Sequence, residues 1–126
     1  MHDVLLVDDL PEAQAMMAEV ARMAFPDARC QAVGSVDEAL RLVKQHAFDV
    51  ALVDLGLPDG HGADLIRQIQ RQQPRCATVV ATIYDDDDHL FEALQAGAQG
   101  YLLKDQPSKW LAQQLRGILD GQPPLS

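Results

Sequence analysis

Basic and aromatic residues are both scarce in this chain. Of its 126 residues, 10 are Lys or Arg and 19 are Asp or Glu, so the formal net charge is -9 and the isoelectric point is near 4.6. Direct binding to nucleic acid normally needs a basic surface, and this composition argues against it. Aromatic residues make up only 5% of the chain, but its hydrophobic content of 48% is ordinary for a globular protein and argues against disorder.

Cysteines, long apolar runs and targeting signals are also few or missing. Cys30 and Cys76 lie far apart, with no CxxC pair or Cys/His cluster, so we expect two reduced thiols rather than a disulfide or metal ligands. No apolar run approaches the ~20 residues that span a bilayer. Residues 1–3 lack the basic and apolar regions of a signal peptide. We therefore expect a cytoplasmic protein that has no contact with a membrane.

The chain does contain a regular alternation of extended and helical patterns. Short apolar runs typical of buried strands alternate with amphipathic segments typical of helices. The strands are expected near residues 4–7, 28–33, 48–54, 77–82 and 101–103. Five such units predict an α/β fold, a doubly wound five-stranded parallel sheet flanked by five helices. Right-handed crossovers favour the flavodoxin-like strand order 2-1-3-4-5, in one domain over residues 1–120.

Local signals predict further details of this fold. Residues 55–62 are expected to form a loop because they contain three glycines and a proline. Residues 35–38 form a capping-box pattern at the start of the second helix, and the four acids of residues 85–88 are typical of a solvated helix start. The apolar side chains of Trp110, Met16, Met17 and Met23 are expected in the core.

Polar residues follow or end four of the predicted strands. They are two acids after the first strand, one after the third, a hydroxyl at the end of the fourth and an ammonium after the fifth: Asp8, Asp9, Asp54, Thr82 and Lys104. In an open parallel sheet, ligands bind beyond the carboxyl ends of the strands, so these groups should share one crevice. Such a set is typical of metal-dependent phosphoryl transfer.

The three carboxylates predict a metal site. Carboxylates held close together repel one another unless a cation lies between them or one is protonated. Mg²⁺ fits because it prefers hard oxygen ligands, and the carbonyl of Gly56 could approach it without a side chain in the way. In the alternative interpretation, Asp8 or Asp9 caps the helix beginning at Pro11 and Asp54 is a structural acid. A carboxylate can also accept a phosphoryl group, as an aspartyl phosphate.

Together these positions resemble the receiver domain of two-component response regulators over essentially the whole chain. The similarity is carried by the acidic pair, the acid after the third strand, the Leu-Pro-Asp-Gly turn, the hydroxyl and the run that ends in lysine: Asp8-Asp9, Asp54, Leu57-Pro58-Asp59-Gly60, Thr82 and residues 96–104. The dipeptide Lys104-Asp105, in place of Lys-Pro, resembles the subfamily whose receivers precede a LuxR/FixJ-type helix-turn-helix domain.

The resemblance implies a chemical role for each acid. Asp54 would accept the phosphoryl group from a sensor histidine kinase or a phosphotransfer domain. Asp9 and the Gly56 carbonyl would join Asp54 in holding Mg²⁺, with Asp8 contributing directly or through water. Such a chain would be a signalling phosphoacceptor that catalyses only its own phosphorylation and dephosphorylation, and not an enzyme with a separate substrate.

The resemblance also implies a switch. Thr82 would bond the new phosphoryl group, Lys104 would pair with it, and Tyr101 would follow Thr82 inward. The surface of the fourth helix, fifth strand and fifth helix would then change, with homodimer formation as one outcome. Residues 121–126 resemble the start of a linker to a missing helix-turn-helix output domain, through which DNA would be bound; a natural single-domain receiver is the alternative.

Two features limit the resemblance or compete with it. Ile83 and Tyr84 stand where receivers usually carry smaller residues, and we expect them to overhang the phosphoryl pocket and to slow phosphorylation or water attack. A haloacid-dehalogenase-like phosphatase would use similar groups, but its nucleophile lies in a DxD pattern, whereas the first strand here ends in Asp8-Asp9-Leu10. A pseudo-receiver that only binds partners would usually lack one of the acceptor, the hydroxyl and the lysine.

Overall fold

The computed structural model describes residues 2–121, in which strands and helices alternate along the chain. The strands are β1 (Asp3–Val7), β2 (Arg29–Val33), β3 (Val50–Val53), β4 (Gly56–Leu57), β5 (Gly60–His61), β6 (Ala77–Thr82) and β7 (Gly100–Leu103). The helices are α1 (Pro11–Ala24), α2 (Val36–Gln45), α3 (Gly62–Gln72), α4 (Asp87–Ala96) and α5 (Ser108–Leu119). Apart from Gly121, the predicted linker lies outside the described residues.

Five of the strands form one parallel sheet in the order β2-β1-β3-β6-β7. This is the predicted flavodoxin-like order 2-1-3-4-5, because β4 and β5 pair with each other outside the sheet. β3 occupies the centre, and all four of its residues are buried. A parallel strand covered by helices on both faces has this continuous apolar character, so the prediction of an α/β doubly wound fold is confirmed.

Two hydrophobic layers cover the sheet, one on each face. Along β1 the side chains of Val4 and Leu6 belong to the layer that includes α1 and α5, whereas those of Leu5 and Val7 belong to the layer that includes α2, α3 and α4. Successive side chains of a strand point to opposite faces, so a wholly apolar strand contributes to both layers at once. Among residues 2–121, no helix is long and apolar enough to cross a bilayer.

The predicted loop at residues 55–62 contains regular structure. Gly56 pairs with His61 and Leu57 pairs with Gly60, which makes β4 and β5 a short antiparallel hairpin. Pro58-Asp59 forms its two-residue turn, and α3 begins directly after it at Gly62. Strands of two residues are too short to show an alternating pattern. The glycines and the proline therefore indicated a turn, but the pairing of β4 with β5 could not be predicted from the sequence.

The prediction that Trp110 lies in the core is wrong. Its side chain is 46% exposed, because Leu111, Leu115 and Ile118 take the inward positions of α5. Successive residues of a helix are about 100° apart around its axis, so the inward position of Leu111 turns the preceding Trp110 toward the surface. Met17 is buried and Met16 is partly buried, as predicted. The prediction that Met23 lies in the core is wrong, because Val20 and Ala24 take the inward positions at this end of α1 and Met23 is exposed.

The other local predictions agree with the structure. Ser35 caps α2 by accepting a hydrogen bond from the Glu38 backbone N–H at 3.2 Å. The acids at residues 85–88 are exposed, and Asp86 is the cap of α4. Both cysteines are free, and burial raises the pKa of Cys76 to about 12, which keeps that thiol protonated and unreactive.

Candidate functional site

The four polar strand ends meet at one edge of the sheet, as predicted. Asp8 follows β1 and Asp54 follows β3, two strands that pair residue for residue up to their ends. Thr82 is the last residue of β6, and Lys104 follows β7 and bonds through its backbone N–H to the Thr82 carbonyl at 2.9 Å. The Lys104 ammonium forms an ion pair with Asp8 and lies 3.4 Å from the nearer carboxylate oxygen of Asp54.

The charged groups of this crevice are largely withdrawn from water. The side chains of Asp8, Lys104 and Asp54 are 5%, 10% and 13% exposed, whereas Asp9 stands at the exposed rim. Burial raises the pKa of Asp54, and the negative charge of Asp8 acts in the same direction, against the opposing effect of Lys104. The crevice therefore holds more negative charge than its single ammonium balances, which favours binding of a further cation.

Asp8, Asp9 and Asp54 form a group that could hold a metal ion. One carboxylate oxygen from each lies within 4.8 Å of the others. Three hard oxygen donors suit a small divalent cation such as Mg²⁺, which keeps its remaining positions for water or phosphate oxygens. The alternative that one of these acids caps α1 is wrong: the cap is Leu10, with no side-chain cap bond. Asp8 instead accepts a hydrogen bond from the Leu10 N–H at 3.0 Å.

The loop that carries Gly56 is held in place by contacts that the sequence did not reveal. The carboxylate of Asp59 accepts hydrogen bonds from the backbone N–H groups of Val36 and Asp37, at 2.8 and 3.0 Å, and so ties the hairpin turn to the start of α2. These bonds hold the pKa of Asp59 below its usual value. At Gly62 an added Cβ would overlap the Asp54 carbonyl oxygen, so only glycine fits there.

Gln14 supports the acidic pair from α1. Its side-chain amide donates to the backbone carbonyls of Asp8, at 2.6 Å, and Val33, at 3.2 Å. The same Val33 carbonyl accepts the Asp8 backbone N–H at 3.0 Å, so the ends of β1 and β2 are joined beside the site. A glutamine in an amphipathic helix gives no sequence signal for such a role, because its two acceptors are backbone carbonyls, 6 and 19 residues away along the chain.

Thr82 and Tyr101, the predicted switch pair, are linked through the backbone of Tyr84. The buried Thr82 hydroxyl accepts a hydrogen bond from the Tyr84 N–H at 3.4 Å, and the Tyr101 hydroxyl donates to the Tyr84 carbonyl at 2.6 Å. Burial, with the charges of nearby acids, raises the pKa of Tyr101 to about 12, so its hydroxyl stays a donor. The Tyr84 hydroxyl lies beside Gly56, which agrees with the overhang predicted for Tyr84. The Ile83 side chain is 70% exposed, so the overhang predicted for Ile83 is not supported.

Comparison with known proteins agrees with this geometry. The family model of the response regulator receiver domain matches residues 4–116. The chain belongs to this family. A curated relative, the DNA-binding transcriptional activator DevR/DosR of Mycobacterium tuberculosis, is 36% identical to the receiver over 89 residues, which are 71% of this chain and 41% of that protein. The chain thus spans less than half the length of this relative.

Solved structures extend the likeness to the whole fold. A LuxR-family two-component response regulator from Aurantimonas is 25% identical, with a TM-score of 0.82 over 98% of this chain and 88% of that one. A response regulator from Burkholderia pseudomallei, solved with a phosphorylated aspartic acid and a calcium ion, is 26% identical, with a TM-score of 0.77 over 94% of this chain and 66% of that one. The receiver assignment and its two-component signalling role are confirmed, and the phosphatase alternative is set aside.

Proposed function

We propose that this receiver is a Mg²⁺-dependent phosphoacceptor in which Asp54 takes a phosphoryl group from a sensor histidine kinase or a phosphotransfer domain. The observation that carries the proposal is the position of Asp54, whose carboxylate lies within reach of both the acidic pair and Lys104. The phosphorylated aspartic acid and bound calcium of the Burkholderia regulator support the same chemistry.

Each residue of the crevice has a separate role in the phosphoryl transfer. A carboxylate oxygen of Asp54 forms a bond to phosphorus while the bond from phosphorus to the donor breaks, and the donor leaves with the electron pair of that bond. The Lys104 ammonium pairs with a phosphoryl oxygen, and the Thr82 hydroxyl donates to another. Mg²⁺, held by the three acids and the Gly56 carbonyl, would neutralise charge on the transferring group.

Removing one acid tests the metal site. Asp9→Asn is expected to lose most of the stabilisation that Mg²⁺ gives the folded protein, which is about 2.7 kcal/mol when the ion is present at a hundred times its Kd. Without Mg²⁺ the same variant is expected to be slightly more stable than the wild type, because one of three crowded charges is gone. Thermal unfolding with and without Mg²⁺ measures both effects.

Glu19→Gln is the matched control for Asp9→Asn, because it removes one exposed negative charge from α1 at a distance from the crevice. It should keep the full effect of Mg²⁺. If Asp9→Asn keeps it as well, Asp9 is not a ligand.

We further propose that phosphorylation changes the α4–β7–α5 face, defined by α4, β7 and α5, and alters self-association there. The Tyr101 hydroxyl bond reaches from β7 toward Thr82, and Phe91 and Trp110 on this face are 61% and 46% exposed. Burying these apolar side chains against a second copy would supply binding free energy. Phosphorylation can change self-association through them only if the two states expose them differently.

Beryllofluoride, which mimics the phosphoryl group, is expected to increase the sedimenting mass of the receiver or to change amide exchange across the α4–β7–α5 face. Tyr101→Phe removes the hydroxyl bond and keeps the ring, so it should weaken the response. An unchanged mass together with unchanged amide exchange would count against the switch.

The output of the switch is proposed to be transcriptional. DevR/DosR is a DNA-binding transcriptional activator. By analogy we propose that this receiver controls a helix-turn-helix output domain, and that this output domain, not the receiver, binds DNA. The acidic composition of the receiver agrees with that division of labour. The cytoplasmic location expected from the sequence stays a prediction.

A further inference from the structure

Tyr84 makes four contacts that join the acceptor crevice to α4. Its N–H donates to the Thr82 hydroxyl, and its carbonyl accepts the hydroxyl of Tyr101. Its own hydroxyl lies beside Gly56, 3.7 Å from the position that a Cβ would take there. Its ring stacks on His89, with the centroids 4.1 Å apart and the planes 4° from parallel. The backbone of Tyr84 is therefore fixed by hydrogen bonds, and its ring by His89.

His89 is itself held in place by the first turn of α4. Its Nδ1 lies 2.7 Å from the carboxylate oxygens of Asp86, the residue that caps the helix. The Asp86 carboxylate also accepts the His89 backbone N–H at 3.2 Å. The bond from the imidazole lowers the pKa of Asp86, so this acceptor remains charged. Because the carboxylate of Asp86 already fixes the orientation of the imidazole, stacking of the Tyr84 ring on its face costs little further side-chain entropy.

The stacked pair forms one wall of a cavity beside the acceptor crevice. The cavity has a volume of about 460 Å³ and is lined by the β4–β5 hairpin and α4, through Gly56, His61, Tyr84, His89 and Glu92 among others. A water molecule occupies about 30 Å³ in the liquid, so the space admits several waters or a small phosphodonor. The Tyr84 ring stands where this space meets Gly56, next to the acceptor.

We propose that His89 is a positioning residue for the acceptor site: backed by Asp86, it keeps the Tyr84 ring at the Gly56 side, where the ring limits the approach of water and of small phosphodonors to Asp54. This inference rests on the proposed function of Asp54 and adds a control of its lifetime. In hydrolysis a water oxygen bonds to phosphorus as the bond from phosphorus to Asp54 breaks, a proton passes to solvent, and inorganic phosphate leaves.

Removing the stacking partner should free the ring without moving the backbone. In His89→Ala the hydrogen bonds of Tyr84 to Thr82 and Tyr101 remain, but the ring gains rotamers that leave the Gly56 side open. Loss of one aromatic pair is expected to speed the decay of phospho-Asp54 about threefold. Tyr84→Ala removes the ring itself and should give an equal or larger acceleration. His89→Phe keeps a flat ring in the same place and should restore the slow decay.

The experiment follows the first-order decay of phospho-Asp54 after loading with a small acyl phosphate and Mg²⁺. Two control variants change residues near the stacked pair that take no part in the stacking. Glu92 is on the same helix as His89 and lines the same cavity, and Ile83 is the exposed residue before Tyr84, so the controls are Glu92→Gln and Ile83→Ala. Both should decay at the wild-type rate. Because His89 acts through Tyr84, adding His89→Ala to Tyr84→Ala should produce no further acceleration.

The outcomes separate this inference from the proposed function. Normal loading of His89→Ala followed by wild-type decay would overturn the role of His89 and leave the acceptor assignment intact. Further acceleration by His89→Ala in the Tyr84→Ala background would overturn it too, because the imidazole would then act without the ring. Failure of the wild type to load would contradict the proposed function and this inference together. In the unphosphorylated protein, the ring-current shift of the His89 imidazole protons should vanish in Tyr84→Ala, and its persistence would contradict the stack.

Discussion

Asp54→Asn is expected to incorporate no phosphoryl group under conditions that add one to the wild type. An amide oxygen lacks the charge that makes a carboxylate nucleophilic, but the side chain keeps its size and its place beside Lys104. Mass spectrometry of the intact protein, after incubation with a small acyl phosphate and Mg²⁺, measures the effect. The loss should be complete, because the phosphoryl bond itself forms at this residue.

Asp64→Asn is the matched control for this experiment. Asp64 is an exposed acid in the first turn of α3, where it pairs with Arg67 at 2.8 Å and makes no contact with the crevice. This variant should be labelled like the wild type. Full labelling of Asp54→Asn would mean that another residue is the acceptor.

Lys104→Met is expected to destabilise the metal-free protein by about 3 kcal/mol, because removing one partner of a buried ion pair leaves its counter-charge uncompensated. Methionine retains the length and apolar stem of lysine but leaves Asp8 and Asp54 without their ammonium. Urea unfolding at neutral pH measures the loss. Mg²⁺ should recover part of it, because the added cation compensates the same carboxylates.

The pH dependence of the stability of Lys104→Met provides a second test of these ion pairs. The charge of Lys104 opposes the rise in the pKa of Asp54, so its removal should raise that pKa further above the unfolded value. A carboxyl group with a raised folded pKa destabilises the fold above that pKa, and the penalty disappears as the pH falls through it. The difference in free energy of unfolding between Lys104→Met and the wild type should therefore become smaller as the pH is lowered through the pKa of Asp54.

Lys109→Met, an exposed lysine in the first turn of α5, is the control for the loss of one positive charge. It should change the free energy of unfolding by no more than about 0.5 kcal/mol, the usual range for surface substitutions. A Lys104→Met protein as stable as this control would show that the ion pairs contribute nothing to the folded state.

The sequence was sufficient to predict the sheet and the meeting of the charged strand-end residues in one crevice. Strands such as Val50–Val53 are apolar at every position, which is typical of a parallel sheet, and parallel strands bring their carboxyl ends to one edge. Asp8, Asp54 and Lys104 could therefore be assigned to one crevice without any knowledge of their distances. Strand order followed from the handedness of the crossovers.

Features that depend on contacts between distant residues could not be predicted. Asp59 follows a proline and precedes a glycine, which indicates a turn, but its bonds to the start of α2 span 22 and 23 residues. The exposure of Trp110 depends on the rotation of α5 against the sheet, which an apolar residue does not reveal. The stack of Tyr84 on His89 requires the end of β6 and the first turn of α4 to be placed together.

The position of the phosphoryl group on the chain decides whether Asp54 is the acceptor. Reduction of the loaded protein with borohydride converts an aspartyl phosphate to homoserine, and peptide sequencing by mass spectrometry then locates it. We expect homoserine at position 54, only in protein loaded with Mg²⁺ present. Homoserine at another aspartate, or a phosphoryl group found on His61 or His89 beside the crevice, would contradict the assignment.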